Sequence, residues 1–315
     1  MFNIDQGMPD PDKLYDVIIL GGGPTALGSA IYAARFAMDL LVIGKIYGGL
    51  IASTHVVENY PGITSVSGTE LMEMFRDHIN SLNIPYITDE INSIEKEEDH
   101  FLLKSVFMSF KARSVIFATG SARKKLNIPG EDEYAGKGVS YCATCDGPFF
   151  NDKVLAVVGG SDSAAKEALF LAQHAKKVYI VYRGDEIRAE PINKKRVDEN
   201  SKIEIINNTN ITEIKGEESV TSVIFDNDKE LHVDGVFIEV GSIPNSEVAK
   251  KIDVLVNEND EIIINRKSET NIPGIYAAGD VADAPFKQAI TGVAEGVIAA
   301  YSVFDYIKQY QKKVK

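Results

Sequence analysis

Two stretches of this chain repeat one pattern: a largely apolar run, a glycine-rich turn, then alanine-rich positions at helical spacing. The first is Tyr15–Leu20, then Gly21-Gly22-Gly23-Pro24-Thr25-Ala26, with the helical pattern reaching about Arg35. The second is Val154–Val158, then Gly159-Gly160-Ser161-Asp162-Ser163-Ala164, continuing to about Ala175. Each is followed by a short apolar run, Leu40–Ile43 and Val178–Val181. Unbroken apolar runs bounded by glycine predict strands buried on both faces. Strand, Gly-rich turn, helix and strand in that order predict the start of a dinucleotide-binding unit, twice. The uncharged stretch Val17–Ala34 reaches membrane-span length, but Gly21–Pro24 interrupts it, so strand–turn–helix is the better reading.

A third signal stands near the C-terminus. Gly274-Ile275-Tyr276-Ala277-Ala278-Gly279-Asp280 reads as a short buried strand ending in a glycine and an acid, and Gln288–Tyr306 as a helix. This is either a plain strand-to-helix turn or the place where Asp280 meets a hydroxyl of a bound cofactor. If it completes the first unit's sheet, the second unit is inserted into the first. The expected fold is therefore α/β, with two Rossmann-like three-layer dinucleotide-binding domains, the second inserted into the first. Residues 15–119 and 245–315 form the discontinuous domain, and 120–244 the inserted one. The crossings fall at strand ends bearing Gly120, Gly241 and Pro244. Residues 1–14 have neither an apolar core nor a basic lead, and are expected as a loose tail rather than a signal peptide.

Composition then narrows the chemistry. A net charge of −13 argues against nucleic-acid or anionic-membrane partners and suits a soluble protein. The only two cysteines stand in Cys142-Ala143-Thr144-Cys145-Asp146. Zinc wants four ligands, yet no second CxxC or CxxH exists and the five histidines are scattered, so no metal is expected. An inert buried pair or a redox dithiol remains, and the dithiol is preferred because the motif lies just ahead of a dinucleotide fingerprint. Cysteines placed to react rather than to staple point to a reducing, cytoplasmic compartment. Asp146 either moves a proton for the sulfurs or simply suits a helix N-terminus.

Taken in order, these pieces resemble the low-molecular-weight thioredoxin reductases from about Tyr15 to Tyr306. The motifs are GGGPTA at 21–26, VENYPG at 57–62, FATGSARKKLNIPGE at 117–131 and SYCATCDGPFF at 140–150. They continue with GGSDSA at 159–164, FIEVGSIPN at 237–245, IPGIYAAGDV at 272–281 and KQAITGVAEG at 287–296. The resemblance implies a homodimeric flavoprotein that carries electrons from NADPH or NADH to thioredoxin or a small thioredoxin-like protein. FAD would lie on the discontinuous domain, its pyrophosphate at Gly21, Gly23 and Ala26, its ribitol at Asp280, and its ring edge at Gln288 and Ala289. Gly48 and Gly49 would line the adenosine and flavin side and Asn59 would sit close to the ring, with Pro24, Thr25, Gly120, Gly279 and Lys287 also at the cofactor. Gly159, Ser161, Ser163, Ala164, Arg183 and Arg188 would meet the nicotinamide nucleotide. Cys145 would face the flavin, Cys142 would attack the partner's disulfide, and Asp146 would serve as the acid.

The sequence departs from that family at the nicotinamide site. Ser161 stands where the family has its central glycine, and the basic HRRxxxR run reads Tyr182-Arg183-Gly184-Asp185-Glu186-Ile187-Arg188. A 2′-phosphate wants bidentate cationic partners. With one arginine lost and two acids gained, NADPH preference is expected to weaken, and Arg183 and Arg188 read equally as surface charges. Leu50 and Lys287 also replace the usual glutamine and arginine. The alternatives are the same flavin–dithiol chemistry fed by reduced ferredoxin or a deazaflavin, an FAD-dependent dithiol oxidase, or a non-catalytic redox sensor.

Overall fold

In the computed structural model, residues 9–314 are described. Of the stretch expected as a tail, residues 1–8 lie outside the described ones. Beyond them the chain turns and enters a short strand in which Leu14 pairs with Lys111. Among the described residues the helices are, in chain order, α1 (Pro24–Arg35), α2 (Gly68–Ser81), α3 (Ala143–Asp146), α4 (Asp162–His174), α5 (Pro191–Asp198), α6 (Glu247–Lys250) and α7 (Ala289–Val314). The chain divides into two compact units. One runs to Ala122 and resumes at Ile243, and the other is Arg123–Ser242.

In the discontinuous unit, strand Val17–Leu20 is buried along its whole length, as its unbroken apolar run requires. It is the centre of a five-stranded parallel sheet in the order Ile275–Ala277, Val115–Phe117, Val17–Leu20, Leu40–Ile43, Tyr86–Ile87. Successive residues of a strand face opposite ways, and two cores result. Val17, Ile19, Val42 and Ile116 pack with Leu27, Ala30, Met72, Ala299 and Val303 of the helices. Ile18, Leu20, Leu41, Val115 and Phe117 pack with Phe101, Leu103 and Phe110 of a second sheet. That sheet is formed by Leu14–Tyr15, Ser109–Ala112, Phe101–Lys104 and Ser93–Lys96. The late strand Ile275–Ala277 pairs with Val115–Phe117, so the C-terminal segment completes this sheet.

The continuous unit repeats the plan. Its parallel sheet runs Val139–Ser140, Gly235–Ile238, Val154–Val158, Lys177–Val181, Ile203–Ile206. Leu155, Val157, Val178 and Ile180 face α4, while Ala156, Val158, Val181 and Val236 face an antiparallel sheet of Ile211–Gly216, Val220–Phe225 and Glu230–His232. Each unit is thus a Rossmann-like three-layer α/β fold. Within α7, Ala289–Tyr310 is long and apolar enough to cross a membrane by length and composition. Its Ala299, Ala300, Val303 and Ile307 are buried in the same core as α1.

Candidate redox and nucleotide sites

Cys142 is the N-cap of α3 and is joined by a disulfide to Cys145, with the two Cα atoms 5.3 Å apart. Its Sγ accepts the Cys145 N–H at 3.2 Å, and its own N–H donates to Ser140 Oγ at 3.0 Å. A sulfur at a helix start sits where backbone N–H groups favour negative charge. Cys145 is exposed and Cys142 half-buried. The Asp146 N–H closes the turn on the Cys142 carbonyl at 3.1 Å. Among the described residues no group of three or more His, Cys, Asp or Glu is placed to hold a metal ion.

Helix α4 packs against α3 and brings Glu167 to it. Glu167 Oε1 accepts the Ala143 N–H at 3.4 Å. Arg123 binds Glu239 directly and lies 3.7 Å from Glu167. Burial, and next the neighbouring Glu239 carboxylate, push Glu167 up to about 8. Sequence reasoning did not single out Arg123, Glu167 or Glu239. The available signal was position: Glu167 shares the helix face of buried Ala164 and Leu171, and an acid on such a face needs a partner.

In the discontinuous unit the first fingerprint forms an open cradle. Gly21 has φ +134°, and a Cβ there would come within 2.1 Å of the Ala118 carbonyl oxygen, so packing fixes this glycine. Gly23 differs. It is the N-cap of α1 with extended backbone, and a Cβ would meet nothing closer than 3.9 Å, at Gly48 and Gly49. Helix α1 starts with no side-chain cap and no acid in its first turn, whereas α2 closes its start with the Ser67–Glu70 capping box. Open N–H groups beside a space that only glycine leaves free fit a pyrophosphate.

The other expected flavin residues gather in groups. The Gly48 N–H donates to the Gly22 carbonyl at 2.8 Å. Thr25 lies under Gly279, where a Cβ would fall 2.5 Å from its Oγ1. Pro24 begins α1, and Ala26 is buried in its first turn. Asn59 donates to Gln288 Oε1 at 3.0 Å, and Ala289 begins α7. Lys287 donates to the Asp280 carbonyl at 2.9 Å and pairs with Glu261, while burial pushes the Asp280 carboxyl up against the pull of Lys287. Gly120 accepts the Asn245 N–H at 3.0 Å. Glu295, outside the sequence reading, accepts the Gly279 N–H at 2.8 Å.

The second fingerprint is closed by its own side chains. Ser161 Oγ accepts the Ala164 N–H at 3.5 Å, so the serine caps α4. Asp162 stands in the first turn and is held by the Glu190 N–H at 2.8 Å, the Asn193 amide at 2.9 Å and Lys166 at 2.8 Å. The Gly160 carbonyl accepts the Arg188 N–H at 2.6 Å. The Tyr182 ring lies so close that a Cβ at Gly160 would fall 2.4 Å from it, and one at Gly184 2.6 Å. The Tyr182 ring thus lies over both Gly160 and Gly184, and a side chain at either would need the ring to shift. Gly159 approaches the Glu239 backbone, Ser163 is exposed, and the Arg183 and Arg188 side chains are exposed.

A model of the pyridine nucleotide-disulphide oxidoreductases matches residues 15–296. The chain belongs to that family. Within it, the thioredoxin reductase of Bacillus subtilis (strain 168) is 38% identical over 311 residues, 96% of this chain and 98% of the relative. Among solved structures, Lactococcus lactis thioredoxin reductase in its FR conformation has a TM-score of 0.91 at 36% identity, covering 94% of this chain and 99% of its own. A ferredoxin-flavin thioredoxin reductase of Clostridium acetobutylicum has a TM-score of 0.54 at 31% identity, covering 95% and 99%. In this chain the α4 turn is closed by Ser161, Asp162 and Tyr182.

Proposed function

We propose that this protein is an FAD-dependent thioredoxin-disulfide reductase whose Cys142–Cys145 dithiol passes electrons from a pyridine nucleotide to thioredoxin or a small thioredoxin-like protein. The observation that carries this reading is a disulfide at the head of α3, in a chain whose other unit presents an uncapped glycine cradle. FAD, when bound, supplies a two-electron carrier. Gly21, Gly23 and the α1 N-terminus hold its pyrophosphate, and Asp280, Lys287, Gln288 and Asn59 meet its polar edges. Once the disulfide is open, the Cys142 thiolate attacks one sulfur of the partner's disulfide, and the other partner sulfur leaves, taking a proton from Asp146. Cys145, its proton passing back to Asp146, then attacks Cys142, the partner's second sulfur is released, and the Cys142–Cys145 bond re-forms. The reading places the enzyme in the cytoplasm as a homodimer, without nucleic-acid or membrane partners.

The electron donor has a second reading, because Ser161, Asp162 and Tyr182 fill the turn that a nucleotide pyrophosphate would approach. A ferredoxin or a deazaflavin then stands in for the nucleotide. Anaerobic mixing with NADPH and with NADH, followed at the flavin absorbance band, decides between them. We expect bleaching by both, with NADPH favoured less than about 10-fold, since a charge-assisted contact to phosphate is worth about 1.5–3 kcal/mol and one arginine is missing. Arg183→Ala should abolish whatever NADPH preference remains. No bleaching by either nucleotide, with bleaching by photoreduced deazaflavin or reduced ferredoxin, would sink the nucleotide donor and leave the flavin–dithiol reading standing.

A further inference from the structure

We propose that Glu167 is a positioning residue for the dithiol, a buried carboxyl whose protonation sets how readily the reduced Cys142–Cys145 pair holds a thiolate. Its Oε1 accepts the N–H of Ala143, the first residue of α3, at 3.4 Å. Its Oε2 is buried, and the Glu239 carboxyl is its side-chain neighbour. Only 16% of the Glu167 side chain and 14% of the Glu239 side chain is exposed.

The charges around it are few. Arg123 ends the strand Ser121–Arg123 and binds Glu239 directly, standing 3.7 Å from Glu167. One guanidinium thus serves two carboxylates that water barely reaches, and such a cluster holds a proton near neutrality. Burial raises both carboxyls, but Glu239 has the shorter contact with Arg123, so Glu167 is assigned the proton. From α3 comes the Ala143 N–H, next in the chain to Cys142. On α4 itself, Lys166 is engaged by Asp162 at 2.8 Å.

The consequence follows from sign. A neutral Glu167 places no negative charge on the amide next to Cys142. An ionised Glu167 puts a negative charge on the Ala143 amide and disfavours a thiolate in the same turn. By reciprocity, forming the thiolate holds the proton on Glu167 more tightly. Below about pH 8 the carboxyl is protonated and the thiolate favoured; above it the two anions oppose each other. The sequence motif could not reveal this, because Glu167 and Glu239 are far from the cysteines along the chain.

The inference rests on the dithiol of the proposed function, but its test uses neither nucleotide nor thioredoxin. The holoenzyme is reduced with dithiothreitol, freed of excess reductant and alkylated with iodoacetamide, and labelling of the two cysteines is read by mass spectrometry across pH. The native profile should bend near pH 8 as Glu167 ionises. Glu239→Gln frees Arg123 for Glu167, so the bend should move down by about one pH unit or more and alkylation at pH 7 should slow about 10-fold. Glu167→Gln fixes the neutral form and should remove the bend. Native profiles in both variants, with flavin content retained, would overturn the proposal. An infrared C=O band of a protonated acid at pH 7, present in the native enzyme and missing from Glu167→Gln, is the second expected result; its absence from the native enzyme overturns the proposal as well. Loss of thioredoxin turnover alone would count against the function and leave this inference untouched.

Discussion

Cys145→Ser should reduce thioredoxin at least about 10³-fold more slowly than the native chain, the scale on which losing a reacting nucleophile is felt, while trapping its partner as a mixed disulfide. The trap forms because Cys142, at the N-cap of α3, still attacks, and no second thiol remains to release it. Cys142→Ser should be as slow but trap nothing, since Cys145 lacks the N-cap position. The flavin of both variants should still bleach with the electron donor. Non-reducing gels with thioredoxin give the answer directly. A partner trapped by Cys142→Ser and not by Cys145→Ser would reverse the roles assigned to the two sulfurs.

Glycines of the first fingerprint should separate folding from cofactor binding. Gly21→Ala forces a Cβ to within 2.1 Å of a backbone oxygen at φ +134°, with strain and overpacking together costing roughly 2–6 kcal/mol. Loss of soluble, folded protein is the expected outcome. Gly23→Ala, at φ −86° with 3.9 Å of clearance, should leave the flavin-free protein as stable to heat as the native chain. Its methyl group fills the space assigned to the pyrophosphate, and overpacking of about 1–3 kcal/mol weakens FAD roughly 10- to 100-fold. Flavin titration of the apoprotein measures the second effect, and unfolding curves the first. Native FAD affinity in Gly23→Ala would remove the pyrophosphate from this turn.

The repeated strand–turn–helix pattern is legible in sequence because both its parts are local. An apolar run buried on both faces and a helix start marked by glycine and proline are properties of neighbouring residues. The family motifs are legible for the same reason, as is the dithiol, whose place just ahead of a dinucleotide fingerprint singles it out. Even the C-terminal strand Ile275–Ala277, distant from its partner Val115–Phe117, announces itself by composition. What sequence did not decide is which side chains meet when separate segments fold together. The serine at 161 reads as a departure from a glycine, but only the folded turn makes it the cap of α4. Gly184 reads as a lost arginine, and only the fold shows the Tyr182 ring lying over it. Glu167, Arg123 and Glu239 come from three separate segments, and burial with one cation facing two acids raises the Glu167 carboxyl. Local patterns travel with the chain, whereas burial and charge balance exist only once distant segments exclude water together.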